Sequence, residues 1–312
     1  MKSLVVYYSQ SGNTKTMAQA IHAGMKMAGG QCDIARLQDL DPRKNLADYD
    51  LIGLGGPVQR HRELPNMTEF IGATQSVDGR HGFAFATHGA LPGTYMANVV
   101  PAMQQRGLTV IGWKSWFASV LGPPLPKPYF TDGHPDAIDL KEGEDFGREM
   151  VEKSRRVSLG ESQLVPTLPT GKDYDAIYYP YPVPADDETR RKSRECEFSL
   201  PVQVNTERCN YPKCTHCIDN CPTHSIAFPS SPPVFSPSCC RCWVCEQTCP
   251  RGAIEVDYTP FQKLHDPVTA TFLQKELEAF EARGWFRRLV PLEEIGWDTP
   301  MWTFKKPRFK VP

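Results

Sequence analysis

Residues 4–15 read L-V-V-Y-Y-S-Q-S-G-N-T-K. Leu4–Tyr8 is a short apolar run of the kind that forms a buried strand. A loop rich in hydroxyls and glycine follows, and Thr14–Ala28 then reads as a helix. Backbone N–H groups at the start of such a helix, with the hydroxyls of Ser9, Ser11 and Thr14, can surround a phosphate without a cationic side chain. The loop is not a Walker A motif, because the second glycine of that pattern is missing. A helix capped by serine is the simpler alternative on this stretch alone.

Working outward, further apolar runs fall at Asp33–Leu37, Leu51–Leu54, Phe83–Thr87 and Leu108–Ala118. Helical stretches alternate with them at Leu64–Ala73, Tyr95–Arg106 and Ala137–Val157. In the last, Ile138, Leu140, Phe146, Met150 and Val151 make an apolar side for packing on a sheet. Five strands alternating with helices imply an α/β fold with a doubly wound, five-stranded parallel sheet. Such sheets bind ligands beyond the carboxyl ends of their strands. Two more loops fall there: G-L-G-G-P-V-Q-R-H-R-E-L-P at 53–65 and F-A-T-H-G-A-L-P-G at 85–93.

On these three loops, residues 1–158 resemble the flavodoxin-like family. The resemblance implies FMN, with Ser9, Gln10, Ser11, Gly12, Asn13 and Thr14 at its phosphate. It also implies Gly56, Pro57, Val58, Gln59 and Arg60 on one side of the flavin ring, and Thr87, His88, Gly89 and Gly93 on the other. Many flavodoxins carry a Trp or Tyr in the first ring loop, where this chain has Gln59, Arg60 and His61, so a more open site is expected. Arg60, His61 and Arg62 either place charge beside the reduced ring, raising its potential, or form a solvated loop. His88 is a ring contact or simply the residue before a helix.

A second motif lies far downstream. Residues 239–250 read C-C-R-C-W-V-C-E-Q-T-C-P, and nine of the chain's 11 cysteines lie between Cys209 and Cys249. Clustered and odd in number, they suit metal binding better than disulfides. Cys239, Cys242, Cys245 and Cys249-Pro250 form C-x2-C-x2-C-x3-C-P. In this run three thiolates hold one [4Fe–4S] cluster and the fourth holds the other. The required second copy exists: Cys214, Cys217, Cys221, Pro222 and Ile226 recur 28 residues on (242 − 214), as Cys242, Cys245, Cys249, Pro250 and Ile254. Tyr211 stands where Cys239 would fall, and Cys209 supplies the missing thiol from two residues earlier. The expected sets are Cys209, Cys214, Cys217 with Cys249, and Cys239, Cys242, Cys245 with Cys221. Cys240 is a bystander or exchanges with Cys239. Zinc is the competing metal. Cys32 and Cys196 are expected as free buried thiols, and Trp243 as a shield for its cluster.

These residues resemble the bacterial 2[4Fe–4S] ferredoxin module, and the two halves in this order resemble the flavodoxin–ferredoxin fusion proteins. The expected organisation is a flavodoxin-like domain (1–158), a Pro/Tyr-rich extended linker (159–195), a small α+β ferredoxin-like domain (196–258), and a C-terminal region (259–312). That last region should hold a helix at Val268–Arg283 stopped by Gly284, then a tail that docks on a partner or wraps the flavodoxin domain. FMN takes two electrons and releases them singly, while each cluster passes one, so the resemblance implies an electron-transfer protein. Its partners would be redox proteins: a ferredoxin or flavoprotein donor, and a reductase or redox-activated enzyme as acceptor. Direct reduction of a quinone, aromatic or haloorganic compound at an open flavin is the alternative. No second dinucleotide-binding unit follows, so electrons are expected from another protein. Net charge of −1 gives no case for nucleic acid. With no signal-peptide pattern and no membrane span, a cytoplasmic protein is expected, either monomeric or a homodimer.

Overall fold

The computed structural model describes residues 1–43, 46–120, 122–123, 125–178, 199–227, 234–260 and 274–310. They form two compact units that do not follow chain order. The first holds residues 1–119 together with Gly133 to the end of the helix Gly171–Tyr178; the second holds Val120–Asp132 and the chain from Ser199 on.

In the first unit, β1 (Lys2–Tyr7), β2 (Gln31–Arg36), β3 (Leu51–Pro57), β4 (His81–His88) and β5 (Thr109–Phe117) form one sheet in the order β2-β1-β3-β4-β5. All four pairings are parallel. The chain reverses direction of winding between β1 and β3, so the loops after them splay apart and leave a crevice. Helices α1 (Asn13–Met27), α2 (Pro65–Ala73), α3 (Tyr95–Gln104) and α4 (Ala137–Ser158) connect or cover the strands.

Val5, Tyr7, Phe83, Phe85, Ile111 and Trp116 from the sheet meet Met17, Ile21 and Met25 of α1 and Phe146 and Met150 of α4 in one core. Ile138 departs from expectation: it is 55% exposed. The close approach of α1 and α4 rests instead on glycines. A Cβ on Gly147 would stand 2.1 Å from the Ile21 carbonyl oxygen, and one on Gly24 would overlap the Glu144 backbone.

The segment expected as an extended linker is partly regular. It contains a 3-10 turn at Ser162–Leu164 and α5 (Gly171–Tyr178), and Tyr174 is buried with its hydroxyl donating to the Gly93 carbonyl at 2.7 Å. Its prolines at 166, 169 and 180 leave room for one short helix between them. Residues 179–198, including Cys196, lie outside the described residues.

The second unit carries two short antiparallel pairs. β6 (Val202–Val204) pairs with β9 (Ile254–Val256), and β7 (Ile226–Ala227) with β8 (Val234–Phe235). The helices His216–Asp219 and Val244–Thr248 stand at equivalent places in the duplicated sequence. Each copy thus runs strand, cysteine loop, helix, strand, and the first strand of each pairs with the last strand of the other. Leu200, Trp243 and Tyr258 form a small core with Val202, Val256 and Trp302.

Of the expected helix at Val268–Arg283, residues 268–273 lie outside the described residues; 274–282 are helical, with Leu277 and Phe280 buried, and Gly284 follows at φ 70°. The tail folds onto its own unit. Met301 N–H donates to the Leu125 carbonyl, Lys127 N–H to Thr299 and Trp302 N–H to Pro123, at 2.7–3.1 Å. Phe130 packs edge-on to Trp297. No helix among the described residues is long and apolar enough to cross a membrane.

Candidate functional site

At the end of β1 the chain turns into α1 through Gly12, at φ 105°, where a side chain would be strained. The Gly12 N–H donates to Ser9 Oγ at 3.2 Å, drawing the loop into a closed turn. The serine-capped helix considered for this stretch is not what forms: no side chain caps α1, and its first turn holds no acidic residue. The opening N–H groups of α1 therefore have no side-chain acceptor, the condition under which a helix start takes an anion. Gln10 Nε2 is buried with no hydrogen-bond partner among the described residues. An orphaned donor beside an uncapped helix start fits a phosphate. Thr14 is buried and shares a 2.7 Å hydrogen bond with Thr87, tying this loop to the end of β4. Asn13 Nδ2 ties it to the Ser119 carbonyl.

The loop after β3 is a tight reversal. Gln59 and Arg62 exchange backbone hydrogen bonds at 2.8 and 3.3 Å, and the two residues between them, Arg60 (φ 50°) and His61 (φ 64°), are both left-handed. Non-glycine residues adopt that region at a cost, and pairs of them are uncommon. The loop after β4 holds the turn in place: Thr94 N–H donates to the His61 carbonyl at 2.7 Å. Gly93 lies so close that a Cβ would stand 2.0 Å from that same oxygen. Val58 N–H reaches the Thr87 carbonyl, so Gly56–Arg60 and Thr87–Gly93 form neighbouring walls at the strand ends. Arg62 and Asn98 both donate to the buried Glu63 carboxylate, which pairs one of the three expected cations.

His88 is 5% exposed and lies edge-on to Phe117, with ring centroids 4.5 Å apart, so its imidazole offers almost no surface to a ligand. Burial is the main reason its pKa is pushed down to about 3; a hydrogen bond with the Ala90 backbone opposes this and His61 adds to it. An unfolded histidine protonates near pH 6.5. Between that pH and about 3 the unfolded chain binds the extra proton, so acid destabilises the domain in this window. Urea midpoints measured from pH 7 to 4 should fall less steeply in His88→Gln than in the parent chain. Parallel slopes would show that His88 is not the source of the acid sensitivity.

The cysteines line two cavities. The first, about 470 Å³ with its mouth included, is walled by Cys209, Cys214, Cys217 and Cys249, with His216, Ile226, Phe235 and Ile254. The second, about 360 Å³, is walled by Cys221, Cys239, Cys240, Cys242 and Cys245, with Trp243 and Val244. The interleaved strand pairing is what carries Cys249 into the first copy's cavity and Cys221 into the second's. Both crossing sulfurs sit in the same local frame: Cys221 Sγ accepts the Ser225 N–H at 3.3 Å, and Cys249 Sγ accepts the Ala253 N–H at 3.2 Å.

The donor chemistry suits a cationic group of several atoms. Burial first, then the neighbouring sulfurs of Cys249 and Cys209, push the Cys217 thiol up to about 12, and burial likewise raises Cys245. Four thiolates converging on an apolar cavity therefore need positive charge among them. A single zinc would hold its sulfurs about 3.8 Å apart, from tetrahedral geometry at about 2.3 Å per bond. Among the described residues no three cysteine sulfurs lie within 4.8 Å of one another. The one group of three ligand atoms that does, from His134, Asp136 and Asp139, is the cap of α4: Asp136 accepts from the Ile138 and Asp139 N–H groups, and Asp139 bonds His134 at 2.6 Å.

Cys240 lies on the second cavity, and its free thiol is hydrogen-bonded to that of Cys242. Cys32 is a free, half-buried thiol with its pKa raised to about 11 by burial. Trp243 is 5% exposed at φ 61°, wedged edge-on against Tyr258. The sequence reading missed Glu246, beside Cys245. It is buried and paired with Lys306 and Arg308 of the tail, both at 2.6 Å. An acidic residue inside a cysteine run was the available signal.

The parallel sheet in the order β2-β1-β3-β4-β5 and the uncapped loop after β1 define a flavodoxin-like α/β domain. The model of the flavodoxin domain family matches residues 4–125. The chain is 31% identical over 111 residues to the flavodoxin of Megasphaera elsdenii, covering 80% of that protein and 35% of this one. It is 25% identical over 208 residues to NAD(P)H dehydrogenase (quinone) 3 of Rhizobium meliloti, covering 98% of that relative and 54% of this chain. A solved flavodoxin from the domain Archaea aligns over 50% of this chain and 99% of its own, at 24% identity and TM-score 0.39. Through its N-terminal domain, the chain belongs to the flavodoxin family.

Proposed function

We propose that this protein carries electrons between FMN in the flavodoxin domain and two [4Fe–4S] clusters, one in each cysteine-lined cavity. When bound, FMN exchanges one or two electrons and each cluster exchanges one. Ser9–Thr14 would hold the FMN phosphate, with Gly56–Arg60 and Thr87, His88, Gly89 and Gly93 beside the ring; at His88 the backbone contributes and the imidazole does not. Cys209, Cys214, Cys217 and Cys249 would hold one cluster, and Cys221, Cys239, Cys242 and Cys245 the other. The crossing of Cys249 and Cys221 between cavities carries this reading, because a compact one-metal site has no use for it. The exchange partners are redox proteins, and clustered thiols of this kind suit a reducing cytoplasm.

A second reading is supported by the names of relatives such as the Rhizobium meliloti protein: reduction of a small quinone-type acceptor at the flavin. The lack of an aromatic residue in Gln59–Arg62 suits an open ring face. Iron, acid-labile sulfide and FMN should be measured on one anaerobic preparation, with about eight, eight and one per chain expected. Zinc in place of iron would overturn the cluster reading. Turnover of a small quinone with NADPH as sole reductant would favour the second reading over the first.

A further inference from the structure

The internal duplication provides its own control. Cys221 and Cys249 are equivalent, as are Thr223 and Arg251, and Ser225 and Ala253, each 28 apart (249 − 221). Both copies keep the backbone N–H to sulfur. At these two positions only the copy around Cys221 carries hydroxyls, and Thr248, the hydroxyl next to Cys249, donates to the Val244 carbonyl instead. Thr223 Oγ1 lies 3.7 Å from Cys221 Sγ and 2.6 Å from Ser225 Oγ. Ser225 Oγ lies 2.8 Å from Ser238 Oγ, which lies 2.6 Å from Ser236 Oγ. At the other site Arg251 lines the cavity but its Nε donates to the Arg208 carbonyl at 2.5 Å, and Ala253 has no polar side chain.

We infer that Thr223, Ser225 and Ser238 form a hydroxyl relay that raises the reduction potential of the cluster bound through Cys221 and leaves the other untouched. This rests on the iron–sulfur reading above. A metal-bound thiolate only accepts hydrogen bonds, so its presence would set the direction of the row. Thr223 then donates to sulfur, Ser225 to Thr223 Oγ1 at 2.6 Å in place of the Thr223 carbonyl at 3.2 Å, and Ser238 to Ser225. Hydroxyls aligned in one direction polarise each other, strengthening the bond at the end of the row. Hydrogen bonds to cluster sulfurs favour the reduced, more negative state. Ser225 is 1% exposed, so water does not take over its role, whereas Ser238 is exposed and ends the relay at the surface. The first cavity has His216 in its wall and no hydroxyl from Arg251 or Ala253, so the two clusters are tuned by different groups. Thr223 and Ser225 are thus positioning residues that act through Cys221.

The test is a redox titration of the full, cluster-loaded chain followed by electron paramagnetic resonance, with iron counted on each sample. Ser225→Ala installs the residue the other copy already uses, so it should fold and load normally. In Ser225→Ala and Thr223→Val one of the two cluster potentials should fall, by roughly a tenfold change in the oxidised-to-reduced ratio, about 59 mV for one electron. The other potential should hold, and Thr223→Ser should restore the parent value. Unchanged potentials with full iron, or equal falls in both, would overturn the relay. Absence of iron from the parent chain would instead sink the iron–sulfur reading itself.

Discussion

Cys249→Ala is expected to lose about half of the iron, and to lose it from the cavity of Cys209, Cys214 and Cys217 rather than from that of its sequence neighbours Cys242 and Cys245. The strand pairing dictates this outcome. β9 follows Cys249 directly and pairs with β6 of the first copy, so Cys249 is delivered to the first cavity. Removing it leaves three thiolates there and four in the second. About four iron per chain should remain, and the second cluster's potential should match the parent's. Complete loss of iron would mean that the two cavities fold as one unit; retention of all eight would remove Cys249 from the ligand set. The reciprocal variant, Cys221→Ala, should spare the first cavity instead.

Arg308→Met should destabilise the second unit by about 3 kcal/mol, the lower part of the range for breaking a buried ion pair by removing one partner. Glu246 is 1% exposed, and the side chains of Arg308 and Lys306 are 2% and 20% exposed. Arg308 also donates from its guanidinium to the Trp302 carbonyl and from its backbone N–H to Gln247, while Lys306 Nζ reaches the Ile254 carbonyl. The tail therefore clamps the helix that follows Cys242 through a carboxylate that has no water to fall back on. Each single change leaves Glu246 one cation, and Lys306→Met should cost less because the Lys306 side chain is 20% exposed against 2% for Arg308. In the double variant Glu246→Gln with Arg308→Met the losses should fall short of additive, because either change alone already breaks the contact between the two. Bleaching of the cluster absorbance in increasing denaturant reads these differences. A parent-like curve for Arg308→Met would show that the pair carries no weight. Deletion of 285–312 should lose at least as much as the single change, since it also removes Trp302 from the core of Leu200, Trp243 and Tyr258.

Much of the first unit was legible because its signals are local. The apolar runs fell within a few residues of the strands, and Gly12 and Gly93 mark turns that their backbone angles require. The grouping of eight cysteines was also legible, through the 28-residue repeat and the proline after each fourth cysteine. Other readings failed for reasons of distance. Ile138 looked like part of the apolar side of α4, but glycines 143 and 147 decide where α1 approaches, leaving Ile138 outside the contact. His88 was open between a ring contact and a residue before a helix, and its edge-on packing against Phe117, 29 residues later (117 − 88), had no signal in the sequence.

From the sequence alone came what repeats or alternates: the parallel α/β sheet, the hydroxyl- and glycine-rich loop after its first strand, and the two cysteine runs 28 residues apart. Each depends on neighbours within one element or on a copy of itself. The tertiary structure alone decided that Val120–Asp132 joins the cysteine-rich unit, that the tail straps that unit, and that Glu246 is buried against Lys306 and Arg308. It also decided that Ser238 meets Ser225. These are contacts between segments from 13 to more than a hundred residues apart, with no shared period. Their partners are set by which surfaces the folded core leaves uncovered, and that is a property of packing rather than of pattern.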